Sequence, residues 1–212
     1  MLRTEKKGMV KMIKIENVSK KIKEYTVLDN VSLSIENGDF ILLKGHNGSG
    51  KTMLIRLISG LITPDVGTVT HANGLSFGVI IETPNFFMSE TAMYNLKYLA
   101  SINKKIKEDR IIELLKKFNL YEHRNKKVRT FSMGMKQRLA LAQAMMEEPD
   151  VLLLDEPFNG IDDENLAITY RLLNKYHREG HTVIIASHGD YQKYCNFNKV
   201  VAMSAGKITE SK

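Results

Sequence analysis

Three short stretches of this chain carry residue types that phosphate chemistry uses. GHNGSGKT, residues 45–52, fits G-x-x-x-x-G-K-[ST] directly after the apolar run FILLK and before TMLIRLISGL, which has helical spacing. Glycines at Gly45, Gly48 and Gly50 let the backbone through His46, Asn47 and Ser49 curl, so that successive N–H groups point at phosphate oxygens. The helix N-terminus behind them adds a favourable dipole. Lys51 can reach the β- and γ-phosphates of a nucleotide, and the Thr52 hydroxyl can ligate Mg²⁺. Chance would produce the pattern in about one per cent of chains of this length at average glycine usage, and the strand-before, helix-after context lowers that further.

VLLLDEP, residues 151–157, is the second stretch. Four apolar residues read as a buried strand, with Asp155 at its C-terminal end, where open α/β sheets place ligands. Asp155 can hold Mg²⁺ through water, and the adjacent Glu156 can polarise an attacking water. Alone, the stretch could be an ordinary strand end before a proline turn; beside a phosphate loop that alternative loses ground. His188 follows TVIIAS at a third strand end, where an imidazole N–H could bind a γ-phosphate oxygen or orient the water. The third stretch, FSMGM at 131–135, has Ser132 at the start of a helical pattern, as a cap or as an anion site.

The elements that must position these residues are legible in the hydropathy. MIKIENVS and VSLSIENGDF alternate as half-buried antiparallel strands do. FILLK (40–44), SFGVII (76–81), VLLLD (151–155) and TVIIAS (182–187) are apolar runs of strand length, expected to be buried on both faces of a parallel sheet. Residues 90–127 are helix-rich and interrupt the alternation, which predicts a separate lobe; VVAMSAGKITES reads as a hairpin about Ala205–Gly206. Three strand ends, at Lys44, Leu154 and Ser187, would then bring phosphate loop, carboxylates and imidazole to one sheet edge.

Composition adds bounds. At 212 residues, 43% hydrophobic and 26% charged, the chain suits one domain with a substantial core. No apolar run reaches membrane-span length, the opening MLRTEKKGMV lacks a secretory h-region, and Met9 could be an alternative start. The single cysteine, Cys195, excludes an internal disulfide; together these features predict a soluble, intracellular protein. The net charge of +7 is unevenly placed: two patches, residues 1–23 and 104–129, each carry +6 and the remainder −5. Without interleaved aromatics, solvated helix faces account for them better than nucleic acid or an anionic membrane does.

Assembled, these residues resemble the ATP-binding subunit of an ABC transporter over nearly the whole length. GHNGSGKT matches Walker A, FSMGM the signature, VLLLDEP Walker B, NGID (159–162) the D-loop, and His188 the switch histidine. The resemblance implies a P-loop NTPase fold of ABC type, α/β with a mainly parallel sheet, an N-terminal antiparallel β subdomain and a helical lobe at about 84–145 inside one domain, 1–212. It implies ATP and Mg²⁺ as cofactors, with Lys51, Glu156 and His188 catalytic and Thr52 and Asp155 on the metal. It also implies a head-to-tail dimer with a second, identical ATPase subunit. Ser132, Gly134 and Asp162 would face the nucleotide held by the partner's Walker A lysine.

The resemblance further implies a separate transmembrane permease, a peripheral position on the cytoplasmic face of the cell membrane, and no nucleic acid. IIETP with FSMGMKQRLALA is similar to the subgroup of bacitracin-resistance and lantibiotic-immunity exporters, which suggests export of an antimicrobial peptide, lipid or similar amphiphile. Phe86, Phe87, Met88 and Tyr94 are either permease contacts or lobe core.

The departures are specific. Met133 and Met135 replace the first of the two glycines and the glutamine of the usual signature, Leu-Ser-Gly-Gly-Gln. Glu82 stands where the Q-loop has glutamine; its carboxylate could approach Mg²⁺ or the attacking water. Tyr25 is the candidate for stacking on adenine, with Ile22 nearer the usual position. An ABC-superfamily ATPase acting on nucleic acid or the ribosome is the alternative. Those relatives carry coiled-coil or zinc insertions or two fused cassettes, whereas here 79 residues separate Thr52 from Ser132.

Overall fold

A computed structural model describes residues 11–82, 85–189 and 191–211, so the basic opening with Met9 lies outside the described residues. The alternating N-terminal segments form β1 (Lys11–Ile22) and β2 (Tyr25–Glu36), an antiparallel hairpin, and β4 (Val66–His71) pairs with the other edge of β1. Ile13 and Ile15 on β1 and Val31, Leu33 and Ile35 on β2 bury one face with period two, and a register shift between Ile15 and Val18 keeps Val18 buried with them.

The second sheet runs β5-β6-β7-β3-β8-β9. Its first five strands are parallel: β5 (Phe77–Ile80), β6 (Val151–Asp155), β7 (Thr182–Ser187), β3 (Phe40–Lys44) and β8 (Lys199–Ser204). β9 (Lys207–Ser211) returns antiparallel through the turn at Ala205–Gly206. β3, β6 and β7 are buried on both faces, which is why they read as unbroken apolar runs. Phe40, Leu42, Leu152, Leu154, Val183 and Ile185 point to one core; Ile41, Leu43, Val151, Leu153, Ile184 and Ala186 point to the other.

That second core holds the buried face of α1 (Lys51–Ile58) and the three-stranded sheet. The first core is shared by α2 (Ala92–Asn103), α3 (Glu108–Lys117), α4 (Met133–Met145) and α5 (Asp163–Arg178). It runs without a break from Leu96 and Ile111 to Leu152 on the sheet, so the inserted helices have no hydrophobic core of their own. α3 carries Glu108 and Asp109 in its first turn and Lys116 and Lys117 in its last, matching the helix dipole at both ends. α4 is buried nearly all round, including Gln137 and Arg138. Arg138 Nη1 donates to the carbonyls of Phe118 (2.6 Å) and Asn119 (3.0 Å), tying α4 to the end of α3.

The 104–129 patch is partly spent inside the molecule. Arg110 pairs with Glu113 and Glu148, Lys117 with Glu113, and the Arg124 guanidinium lies 3.9 Å from the Tyr121 ring centre.

α4 lies against β5 because Gly78 has no side chain. A Cβ there would sit 2.1 Å from the Ala144 carbonyl oxygen and 2.8 Å from both Leu152 Cδ2 and Pro149 Cγ. Gly78→Ala should therefore lower the unfolding free energy by about 1–3 kcal/mol, the usual cost of overpacking a rigid core. Urea denaturation measures it, and an unchanged midpoint would show that β5 and α4 separate freely.

Candidate functional site

The parallel register brings three loops to one edge. Lys44 pairs with Ser187, Asp155 with Ala186 and Leu154 with Ile185, so the chain leaves β3, β6 and β7 side by side. Between these loops and the β2 and β8–β9 turns lies a cleft of 610 Å³, within the range of small-ligand pockets. Tyr25, Asn47, Gly48, Ser49, Gly50, Lys51, Thr52, Asp155 and Glu156 line it, with Val27 and Gly206 opposite.

The loop between β3 and α1 is shaped by its glycines. Gly48 and Gly50 have φ of +80° and +104°, and a Cβ on Gly45 would lie 2.4 Å from the Met203 carbonyl oxygen. The hairpin turn clamps this loop. Gly206 N–H donates to the Ser49 carbonyl at 3.0 Å, while its own carbonyl accepts from Asp29 N–H at 2.9 Å. Ala205–Gly206 was legible as a turn, but nothing local in sequence signals that it closes on Ser49.

Lys51 is buried and folded back, its Nζ donating to the carbonyls of Gly45 (2.7 Å) and His46 (3.1 Å). Ser49 Oγ is buried without a hydrogen-bond partner. Thr52 Oγ1 donates to Asp155 Oδ2 at 2.6 Å. Burial pushes the Asp155 carboxyl above its ordinary range; Glu156 and Glu82 add to this, and the Thr52 hydrogen bond and Lys51 oppose it. A carboxylate so placed is relieved by a cation. Among the described residues no group of three or more His, Cys, Asp or Glu could hold a metal. A donor set of one hydroxyl and one carboxylate beside a phosphate loop fits Mg²⁺ completed by nucleotide oxygens.

Glu156 has a φ of +47°, a sparsely populated backbone for a non-glycine residue, where strain is stored at functional positions. Its N–H donates to the Ala186 carbonyl at 2.9 Å. Its carboxylate accepts from Ser187 Oγ (2.9 Å), His188 N–H (3.0 Å) and His188 Nδ1 (2.8 Å). With Nδ1–H committed to Glu156, a neutral imidazole presents Nε2 as an acceptor, and only the imidazolium donates from both nitrogens. Ser187, Gln137 (Nε2 3.5 Å from the Glu156 carbonyl) and Arg56 are supporting residues that the sequence reading missed. Each depends on a tertiary neighbour that no motif spacing records.

Other candidates fall differently. Tyr25, 77% exposed, stands at the mouth of the cleft; Ile22, its partner across the hairpin turn, is not a lining residue. Glu82, exposed and with φ of +60°, accepts from Arg56 Nη2, one turn along α1 from Thr52. Its hydrogen-bond partner is thus a guanidinium and neither Thr52 nor Asp155. Asp162 caps α5, its Oδ1 accepting from Asn165 N–H at 3.1 Å, and Asn165 holds its carboxyl below the ordinary range.

Ser132 caps α4, its hydroxyl accepting from Met135 N–H at 3.2 Å, and Gly134 is buried against Gly160. No residue from 131–135 lines the cleft. Phe86 packs on the first core, whereas Phe87, Met88 and Tyr94 are exposed, joined by Tyr98. Phe87 meets Tyr98 edge-on at 5.0 Å.

Comparison with known proteins bears on the family and the fold. The ABC transporter family profile matches residues 28–159. An ABC transporter ATP-binding protein of Bacillus subtilis, YybJ, is 44% identical over 84% of this chain and 85% of its own length. The bacitracin transport ATP-binding protein BcrA of Enterococcus faecalis is 35% identical over 84% of the chain and 61% of its own length. The lantibiotic transport ATP-binding protein SrtF of Streptococcus pyogenes is 32% identical over 84% and 80%. Among solved structures, the dimeric MJ0796, a bacterial ABC transporter cassette, superposes with a TM-score of 0.86 at 28% identity, covering 95% of this chain and 98% of that one. With phosphate loop, carboxylates and imidazole at one sheet edge, the chain belongs to the ABC transporter family as an ATP-binding subunit, of the cassette type that hydrolyses ATP to power transport.

Proposed function

We propose that this subunit drives export of an antimicrobial peptide or similar amphiphile, working as a dimer of two identical chains beneath a separate transmembrane permease. One observation carries the dimer: the cleft gathers the Walker A and Walker B groups but no residue of the signature, whose helix N-terminus at Ser132 stands exposed elsewhere. Such a terminus is an anion site awaiting a phosphate, and a second copy, head to tail, supplies one. The dimeric state named for MJ0796 supports this arrangement. The names of BcrA and SrtF, bacitracin and lantibiotic transport proteins, support the substrate class.

In this reading Lys51 and the loop N–H groups hold the β- and γ-phosphates, with Tyr25 against the adenine. Mg²⁺ at Thr52 and Asp155 would neutralise charge on the phosphoryl group. Glu156 takes the proton of the attacking water, with His188 and Ser187 orienting its carboxylate. Ser132 and Gly134 meet the γ-phosphate bound to the partner copy, and Asp162 lies at the same interface. Catalysis is then placement and charge stabilisation.

The exposed Phe87, Met88, Tyr94 and Tyr98 suit the permease, which puts the subunit on the cytoplasmic face of the membrane. Among the described residues no helix is long and apolar enough to cross it. The aromatic patch is tied to the signature by backbone: Arg129 N–H donates to the Met88 carbonyl (3.0 Å) and Val128 N–H to that of Glu90 (2.9 Å).

Three variants test these roles. Glu156→Gln should keep ATP affinity while turnover, read by phosphate release, falls on the order of a hundredfold or more; full residual activity removes Glu156 as the base. Ser132→Arg should leave ATP binding by the monomer intact and abolish the ATP-dependent dimer in light scattering. If it instead weakens nucleotide binding by the monomer, the role across the interface is wrong. Glu82→Gln removes the charge that pairs with Arg56 while keeping an acceptor oxygen, and should change transport per ATP hydrolysed in reconstituted vesicles; an unchanged ratio denies the Glu82 charge a part in coupling.

A further inference from the structure

Gly134 and Gly160 let two interface segments interlock within one protomer. A Cβ on Gly134, in the first turn of α4, would lie 2.3 Å from the Gly160 carbonyl oxygen, so the helix backbone rests directly on that peptide. Gly160 has φ of +72°, and a Cβ there would lie 2.6 Å from Met133 Sδ, 2.8 Å from its Cγ and 3.2 Å from its Cβ. The Met133 side chain from Cβ to Sδ therefore lies along Gly160, although the residue as a whole is 67% exposed.

The turn beneath is weakly held by its own bonds. Asn159 N–H reaches the Glu156 carbonyl and Ile161 N–H the Phe158 carbonyl at 3.3 Å each, long for backbone pairs. Phe158 is buried at one end and Asp162 caps α5 at the other, leaving Asn159 and Gly160 exposed between them. An unbranched, polarizable side chain fills such an irregular gap well.

We propose that Met133 is a positioning residue. Its thioether braces the 159–161 turn, so that Ser132 and Asp162 present one rigid edge to a second copy of this chain. The consequence for the dimer rests on the function proposed above; the brace itself does not.

The test is amide hydrogen exchange on the full chain without nucleotide. Met133→Ala, which keeps a helix-forming residue at the start of α4, should speed exchange at 159–161 on the order of tenfold, equivalent to about 1.4 kcal/mol of local opening. Met133→Leu should restore slow exchange, and the urea midpoint should hold in both. With ATP, Met133→Ala should lower kcat and leave KM unchanged. Gly160→Ala, whose new Cβ would meet the sulfur, should be partly rescued by adding Met133→Ala. Unchanged exchange at 159–161 overturns the proposal. So does faster exchange spread equally over α4 and α5, which would mean general destabilisation. Because exchange is read on the nucleotide-free monomer, failure of the brace and failure of the dimer reading are separable.

Discussion

The in-register parallel pairing of β3 with β7, and of β7 with β6, is the constraint from which the site follows. In a parallel sheet every strand ends at the same edge, so the loops that leave β3, β6 and β7 must emerge as neighbours. Pairing Lys44 with Ser187 and Asp155 with Ala186 sets the phosphate loop, the two carboxylates and the histidine within one residue of each other along the sheet. A slip of one residue would turn Ile41 and Leu43 from the α1 face to the α4 face and bury the wrong set. Core packing on both faces thus enforces the chemistry at the edge.

At that edge the charges are arranged to need a ligand. Lys51 is buried with its ammonium on two carbonyls, and two adjacent carboxylates stand at the end of β6, Asp155 raised in pKa by burial and Glu156 on a left-handed backbone. Hydrogen bonds from Thr52, Ser187 and His188 orient these groups but leave the buried charge only partly compensated. Phosphate and a hard cation would complete such a set, and a hydroxyl and a carboxylate beside a phosphate loop suit Mg²⁺. Arg56 takes the additional carboxylate, Glu82, at the exposed end of this cluster.

The helical segment is held together by hydrogen bonds of its main chain. Asn95 holds Phe87 through its main chain, accepting from Phe87 N–H at 2.8 Å and donating to the Phe87 carbonyl at 3.2 Å, and the strand-like contacts of 88–90 with 128–129 lead directly to the cap of α4. Backbone hydrogen bonds thus join the segment carrying the aromatic patch to the segment that leads into Ser132. Arg138 and the shared core couple the same helix to α3 and to the sheet.

By itself the sequence determined the elements and the chemistry-bearing residues. Strand pieces such as Phe40–Lys44, Val151–Asp155 and Thr182–Ser187 are visible because burial on both faces demands unbroken apolar runs, and the phosphate loop because glycine, lysine and threonine have few substitutes at that spacing. Tertiary structure alone decided which neighbours those residues have. It set the Gly206 turn on the phosphate loop, Ser187 on Glu156, Arg56 on Glu82, and Met133 on Gly160. It also decided that the inserted helices share one continuous hydrophobic core with the sheet. Periodicity reports which face of an element is buried; it carries no record of the partner that buries it, because that depends on register and topology over the whole chain.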